Sequence, residues 1–321
     1  MEFFQNHIPV IGISGASSDN SSVRAMMTQI ASSGAIPMFL GNHERRDPAK
    51  DVEKIDALVI MGNDMDLDPN NYNQTRHKKT KSEFDRPENQ NRAYYEYMIM
   101  GKALDIKMPL LTICGGTQRL NVMLGGDLQQ HIPDTTGHDD HNQQLHNIAP
   151  FIPVHPVQIK RGSSLADIAD SSLLSMFIPT HKNLVYDENS IHHQAMGKIG
   201  EGLKESAYSK ENGSKVIEAV EADPKGKLKG QFVIGVQWHP EFSASELGAK
   251  IANRLREKAL KFAKDNNRKH SMAEVRRENI LSSLNKVFPN NLATIKKGSM
   301  AEAILAERMR QPHMDNGQSL R

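Results

Sequence analysis

The chain holds a single cysteine, Cys114, and the residues around it are those that turn a thiol into a nucleophile. In PLLTICGGTQRLNVMLGG the cysteine ends an apolar run, and two glycines open a helical pattern directly after it. A strand that turns sharply into a helix lifts its corner side chain above the sheet, aims free helix N–H groups at the reaction centre and favours thiolate through the helix dipole. A neutral thiol attacks carbonyls poorly, so a proton acceptor is required. GVQWHPEF, at the end of another apolar run, offers His239 and Glu241 two positions apart. On extended backbone, residues i and i+2 share a face, so Glu241 can hold one ring nitrogen while the other faces the sulfur. With Cys114, His239 and Glu241 as catalytic residues, the chemistry within reach is covalent acyl transfer. A lone cysteine is commonly a small buried hydrophobe, and a strand-end histidine is commonly satisfied by a nearby carboxylate. The elbow and the HPE terminus together argue for function.

Acyl transfer also needs donors for the oxyanion of the tetrahedral intermediate. The run Ala57 to Met61 leads into GNDMDLDPNNY, a glycine-led turn after a strand. The N–H of Asn63 in that turn and the N–H of Gly115 are the expected pair, and losing one such donor typically costs about 3 to 4 kcal/mol of barrier. Taken alone, the turn reads as an acidic surface loop.

The elements that must position these residues are legible as alternating patterns. Apolar runs at Ile8 to Ile13, Ala35 to Leu40, Ala57 to Met61 and Met108 to Ile113 read as strands buried on both faces, and Ser21 to Ser33 and Glu88 to Leu104 as helices between them. Strands joined by helical crossovers predict an α/β fold, doubly wound, with a mostly parallel sheet flanked by helices. In such folds the ligand lies beyond the carboxyl ends of the strands. Asp127 to about Pro153 is polar and histidine-bearing, and reads as a long surface loop. Further strands are expected at Val154 to Ile159, Asn183 to Val185, Lys215 to Val220 and Phe232 to Gln237. A helix with Leu247, Ile251, Leu255 and Ala259 on one face follows them.

Composition shifts after about Lys264, which predicts one folded domain over 1–264 and a polar, partly helical C-terminal extension over 265–321. Ile280, Leu281, Leu284, Val287 and Phe288 would share one face of a tail helix, suited to packing on the domain, on a second copy of the chain or on a protein partner.

With 40 basic against 38 acidic residues, the net charge of +2 gives no reason to expect nucleic acid or an anionic membrane as partner. The N-terminal MEFFQNHIPVIGI has neither the basic start nor the long apolar centre of a secretory signal, and no run is long enough for a membrane span, so a cytoplasmic location is expected. One cysteine allows no intramolecular disulfide and no cysteine-rich metal site.

At these residues the chain resembles the gamma-glutamyl hydrolase branch of the class I glutamine amidotransferase-like superfamily, especially the gamma-glutamyl-gamma-aminobutyrate hydrolases. The resemblance covers about residues 8 to 260. Its parts come in order: GNDMDLDPNNY, RAYYEYMI, ICGGTQRLNVMLGGDLQQ, VHPVQIKRGSSL, NSIHHQ, VIEAVE and GVQWHPEF. The resemblance implies that Cys114, His239 and Glu241 form a triad, and that Gln118, Asn189, Ser190 and His192 hold the glutamyl end of a small substrate. It further implies hydrolysis of a gamma-glutamyl amide through a thioester, releasing glutamate and an amine, with no metal or organic cofactor. Three positions depart from the pattern. Gly115 stands where the family usually has arginine, Thr112 where the superfamily prefers glycine or alanine, and Asn63 where many members have the second of two glycines.

Three other readings compete. The histidines His131, His138, His141 and His146 with Asp139 and Asp140 suggest a metal, but their spacing matches no helical HExxH-type ligand pair, and a flexible loop preorganises ligands poorly, so no metal is expected. A glutaminase that passes ammonia to a separate synthetase partner would use the same triad. A binding or regulatory protein that kept the pocket and lost turnover would be marked by Gly115, Thr112 and the tail.

Overall fold

Four short apolar runs, VIGIS, ALVI, LLTI and VIGV, are buried at every position, as strands covered on both faces must be. In the computed structural model, which describes residues 7–138, 141–170 and 182–268 with 270, 275 and 279, they form the centre of the sheet. In chain order the strands are β1 (Val10–Ser14), β2 (Ile36–Phe39), β3 (Ala57–Ile60), β4 (Leu110–Ile113), β5 (Leu128–Gln129), β6 (His155–Ile159), β7 (Leu184–Glu188), β8 (Ala195–Met196), β9 (Leu203–Glu211), β10 (Ser214–Ala222) and β11 (Val233–Val236). The helices are α1 (Ser21–Ser32), α2 (Pro48–Asp51), α3 (Pro87–Asp105), α4 (Gly115–Met123), α5 (Pro133–Thr136), α6 (Ser164–Ala169) and α7 (Glu246–Asp265).

The sheet runs β2-β1-β3-β4-β11-β10-β9-β6-β7, with β5 and β8 joined to it at β10. From β2 to β11 every pairing is parallel, the doubly wound half that the helical crossovers imply. From β11 onward the pairings are antiparallel, and β9 and β10 form a hairpin closed by the tight Asn212–Gly213 turn. Helix α7 buries Leu247, Ile251, Leu255 and Ala259, the expected face, in the core that also holds Ile11, Ile13, Val59, Leu111 and Ile234.

Two sequence expectations are corrected. Strand β9 went unread because its sequence, LKESAYSKE, buries Ser206, Ala207 and Ser209, with Leu203 as its one large buried apolar residue. The stretch from Asp127 to Pro153 is not a plain surface loop. It contains β5, α5 and a 3₁₀ turn at Gln143–His146, and it buries Ile132 against Ala195 and Val216. His141 and Gln143 are buried as well, since Asn142 pairs with Ile191 as a short antiparallel bridge.

The chain divides into two units, Met1–Lys269 and His270–Arg321, and every element named above belongs to the first. Asp139, Asp140 and the tail positions Ile280, Leu281, Leu284, Val287 and Phe288 lie outside the described residues. Among the described residues, no helix is long and apolar enough to cross a membrane.

Candidate active site

Strands β3, β4 and β11 are parallel neighbours, so their carboxyl ends open side by side. The turn Gly62–Asn63 follows β3, Cys114 follows β4 and His239 follows β11, which brings together residues some fifty and more positions apart. The Cys114 N–H stays in the sheet, donating to Val236 O at 2.8 Å, while its backbone turns to φ 50° and ψ −114°. A non-glycine residue there stores about 1 to 3 kcal/mol of strain, maintained by the surrounding packing. Gly116 permits the turn: a Cβ at that position would lie 2.5 Å from Ile60 O. Cys114 opens on a cavity of about 130 Å³ lined by Gly62, Asn63, Gln144, Ile191, His239 and others. A larger cavity of about 790 Å³ involves Pro109 and Phe232, at the opposite ends of the same strands, and is not lined by Cys114 or His239.

His239 is fixed at both backbone and ring. Its N–H donates to Asn189 Oδ1 and its C=O accepts from Asn189 Nδ2, each at 2.9 Å. Its Nδ1 meets Glu241 Oε1 at 2.7 Å, and the Ser22 hydroxyl donates to the same carboxylate oxygen. A Cβ at Gly62 would lie 3.3 Å from Cys114 Cβ, 3.1 Å from His239 Cε1 and 3.6 Å from His239 Nε2, so the free edge of the imidazole and the thiol flank the same glycine. Burial by itself disfavours the imidazolium. The charges of Glu241 and then Cys114 outweigh it and hold the His239 pKa well above the ordinary histidine value.

The Gly62–Asn63 turn is clamped from behind. Arg92 Nη2 donates to Met61 O at 3.1 Å and Gly62 O at 2.7 Å, while Nη1 reaches Asn63 Oδ1 at 3.4 Å. In a trans peptide the N–H points opposite the C=O, so binding Gly62 O aims the Asn63 N–H away from Arg92. Among the described residues, neither that N–H nor the Gly115 N–H donates a hydrogen bond. Arg92 is itself held by Glu96 at 2.8 Å, Glu96 by Arg119 at 3.0 Å, and Arg119 by both oxygens of Glu83. Glu83 closes the ring by accepting from Asn63 Nδ2 at 3.2 Å. Burial works to keep Glu96 protonated, but the neighbouring Arg92 and Arg119 guanidiniums overcome this and lower its pKa.

Not every expected site residue reaches the cavity. Gln118 donates to Gln194 O at 3.0 Å and to Gln237 Oε1 at 3.3 Å. Asn189 spends its amide on His239, and Ser190 and His192 turn inward to a buried histidine cluster. None of the four lines this cavity; Ile191, between them, is the residue of that loop that faces Cys114. The Thr112 departure is absorbed by the neighbouring strand. Thr112 pairs with Gly235, and a Cβ on Gly235 would lie 2.7 Å from Thr112 Oγ1.

Arg92, Glu96, Arg119, Glu83 and Ser22 were missed in the sequence. The i, i+4 spacing of Arg92 and Glu96 in RAYYEYMI carried one faint signal, but that pattern marks many exposed helix faces.

The pattern of the family described as Peptidase C26 matches residues 9–241. The protein Rv2859c of Mycobacterium tuberculosis, provisionally named a glutamine amidotransferase, is 39% identical over 197 residues. The match covers 61% of this chain and 54% of that protein, so the chain spans about half the length of that relative. The gamma-glutamyl-gamma-aminobutyrate hydrolase PuuD of Escherichia coli strain K12 is 26% identical over 227 residues, covering 68% of this chain and 78% of that one. In three dimensions the chain is similar to a Thermoplasma acidophilum protein provisionally described as part of a GMP synthase, with a TM-score of 0.52 at 12% identity, over 82% of this chain and 99% of the other. That likeness concerns the fold, which is of the glutamine amidotransferase type.

Proposed function

This chain belongs to the Peptidase C26 family, and from that premise we propose that it hydrolyses gamma-glutamyl amide bonds of small molecules, with Cys114 as nucleophile. The observation that carries this reading is the strained Cys114 elbow sharing one small cavity with an imidazole whose far nitrogen is held by Glu241. His239 takes the Cys114 thiol proton as Sγ attacks the γ-carbonyl, and the C=O electron pair moves onto oxygen, where the N–H groups of Asn63 and Gly115 stabilise it. Collapse of this intermediate breaks the C–N bond as His239 protonates the departing amine, leaving a thioester. Water, giving its proton to His239, then attacks the thioester and releases glutamate. Glu241 keeps the ring oriented through both halves, and Asn189 keeps the His239 backbone in place.

The test is a panel of gamma-glutamyl amides, including glutamine, gamma-glutamyl-aminobutyrate and gamma-glutamyl polyamines, with free glutamate as readout. Release from at least one amide, abolished in Cys114→Ser, is expected; no release from any would end the proposal. A second reading, a glutaminase serving a synthetase, is favoured by the provisional name of the mycobacterial relative. It requires glutamine to be the preferred member of the panel and turnover to rise when a synthetase partner is present.

A further inference from the structure

Next to the loop of residues 189–192, side chains from five separate stretches of sequence meet. His141 comes from the stretch after α5, His155 from the start of β6, His192 from the β7–β8 connection, Glu211 from the end of β9 and Glu218 from β10. His141, His155, His192 and Glu218 are all at least 95% buried. His141 Nδ1 lies 3.4 Å from Glu218 Oε1, and His192 Nε2 lies 3.8 Å from Glu218 Oε2. One ligand atom from each of His141, His192 and Glu218 falls within 4.8 Å of the others. Metal–ligand bonds of about 2.0 to 2.2 Å at tetrahedral angles set ligand atoms about 3.3 to 3.6 Å apart, so the cluster is close to the dimensions of a zinc-type site.

The hydrogen-bond pattern also points to a cation. A carbonyl only accepts, so His192 Nδ1, 3.0 Å from Gln194 O, carries the ring proton. Its other nitrogen, Nε2, faces Glu218 Oε2, a buried carboxylate oxygen with no hydrogen-bond partner among the described residues. Ser190 Oγ donates to His141 O at 2.9 Å and lies 3.1 Å from His192 Nε2 and 3.2 Å from His141 Nδ1. Among the described residues, the groups within ion-pair distance of Glu218 are His141, His155 and His192, with no lysine or arginine among them. A buried carboxylate ringed by imidazole nitrogens, with no lysine or arginine in reach, is the donor set that a divalent transition metal takes.

We infer that His141 Nδ1, His192 Nε2 and Glu218 form a structural site for a divalent transition metal of the zinc class, with His155 beside it for a fourth position. The outer contacts suit this role. Glu211 Oε1 lies 3.0 Å from His141 Nε2, Gln194 O holds His192 Nδ1, and Ser209 Oγ donates to Glu218 Oε1 at 3.1 Å, so each ligand is oriented by a second group. None of these residues lines the cavity at Cys114. The site is a brace: it ties β10 to the loop whose Asn189 grips His239 and whose Ile191 faces the thiol. This departs from the sequence expectation of no metal, which considered ligands only within one loop.

The experiment uses the full chain, stripped with a chelator and confirmed as folded by circular dichroism. Co²⁺ is then added, followed by competing Zn²⁺. Equimolar Co²⁺ uptake with the intense visible bands of a tetrahedral site, reversed by Zn²⁺, retained in Cys114→Ser and lost in Glu218→Gln, is the expected result. Folded, stripped protein that takes up no Co²⁺ would overturn the inference. So would uptake that survives Glu218→Gln, since exposed histidines elsewhere would then be responsible. If Glu218→Gln does not fold, the wild-type melting temperature decides: it rises by several degrees with equimolar Zn²⁺ if the site exists, and unchanged melting rejects it.

Discussion

Asn63 and Gly115 stand face to face across the cavity mouth: a Cβ on Gly115 would lie 3.0 Å from Asn63 N and 3.1 Å from Asn63 Cβ. The family resemblance puts a side chain at the position of Gly115 and glycine at that of Asn63. In this chain the bulk sits on the opposite partner, so the two departures are one exchange. Gly115→Arg alone is expected to displace the Asn63 donor and lower kcat/KM by about 10²-fold, while Asn63→Gly with Gly115→Arg recovers most of the loss. A double-mutant cycle in kcat/KM measures the coupling; additive effects would mean the two positions act separately.

Cys114→Ser changes one buried atom at a position whose backbone the sheet already holds. Glutamate release is expected to fall to background while the urea midpoint stays within the scatter of wild type.

Glu241→Gln tests the charge that raises the His239 pKa. Amine protonation needs the imidazolium, so activity falls as pH rises through the folded-state pKa of His239, which lies well above the ordinary value. Removing the carboxylate lowers that pKa, so the alkaline limb of the pH profile moves down and kcat falls by about 10²-fold. Stability follows the same sign. The pair contributes fully below the unfolded histidine pKa of about 6.5 and loses its contribution as pH rises through the raised folded value.

Arg92→Lys keeps the charge beside Glu96 but cannot reproduce a planar fork that reaches Met61 O, Gly62 O and Asn63 Oδ1. With the Asn63 peptide freed to turn, kcat is expected to fall by about 10² to 10³-fold with KM little changed. A proportional rise in KM instead would show Arg92 serving substrate binding.

Gly235→Ala places a methyl 2.7 Å from both Thr112 Oγ1 and Thr117 Cγ2. Overpacking of about 1 to 3 kcal/mol is expected in urea unfolding, partly relieved by Thr112→Ala.

The candidate site was legible in local sequence wherever its geometry depends on backbone succession. The strand–Cys–Gly–Gly–helix order, the two-residue spacing of His239 and Glu241, and the buried strands β1, β3, β4 and β11 are short-range patterns that a linear reading resolves. So is the face of α7, because helical periodicity is a property of consecutive residues. What only the tertiary structure decided depends on which distant segments become neighbours. The clamp of Arg92 on the Gly62 carbonyl, the exchange of bulk between Asn63 and Gly115, and the inward turn of Ser190 and His192 all join residues from separate elements. Sequence spacing carries no record of such meetings. The polar stretch around His141 looked like a surface loop because its side chains are hydrophilic; it is buried because its partners are polar too, and a hydrogen-bonded interior leaves no apolar pattern to read.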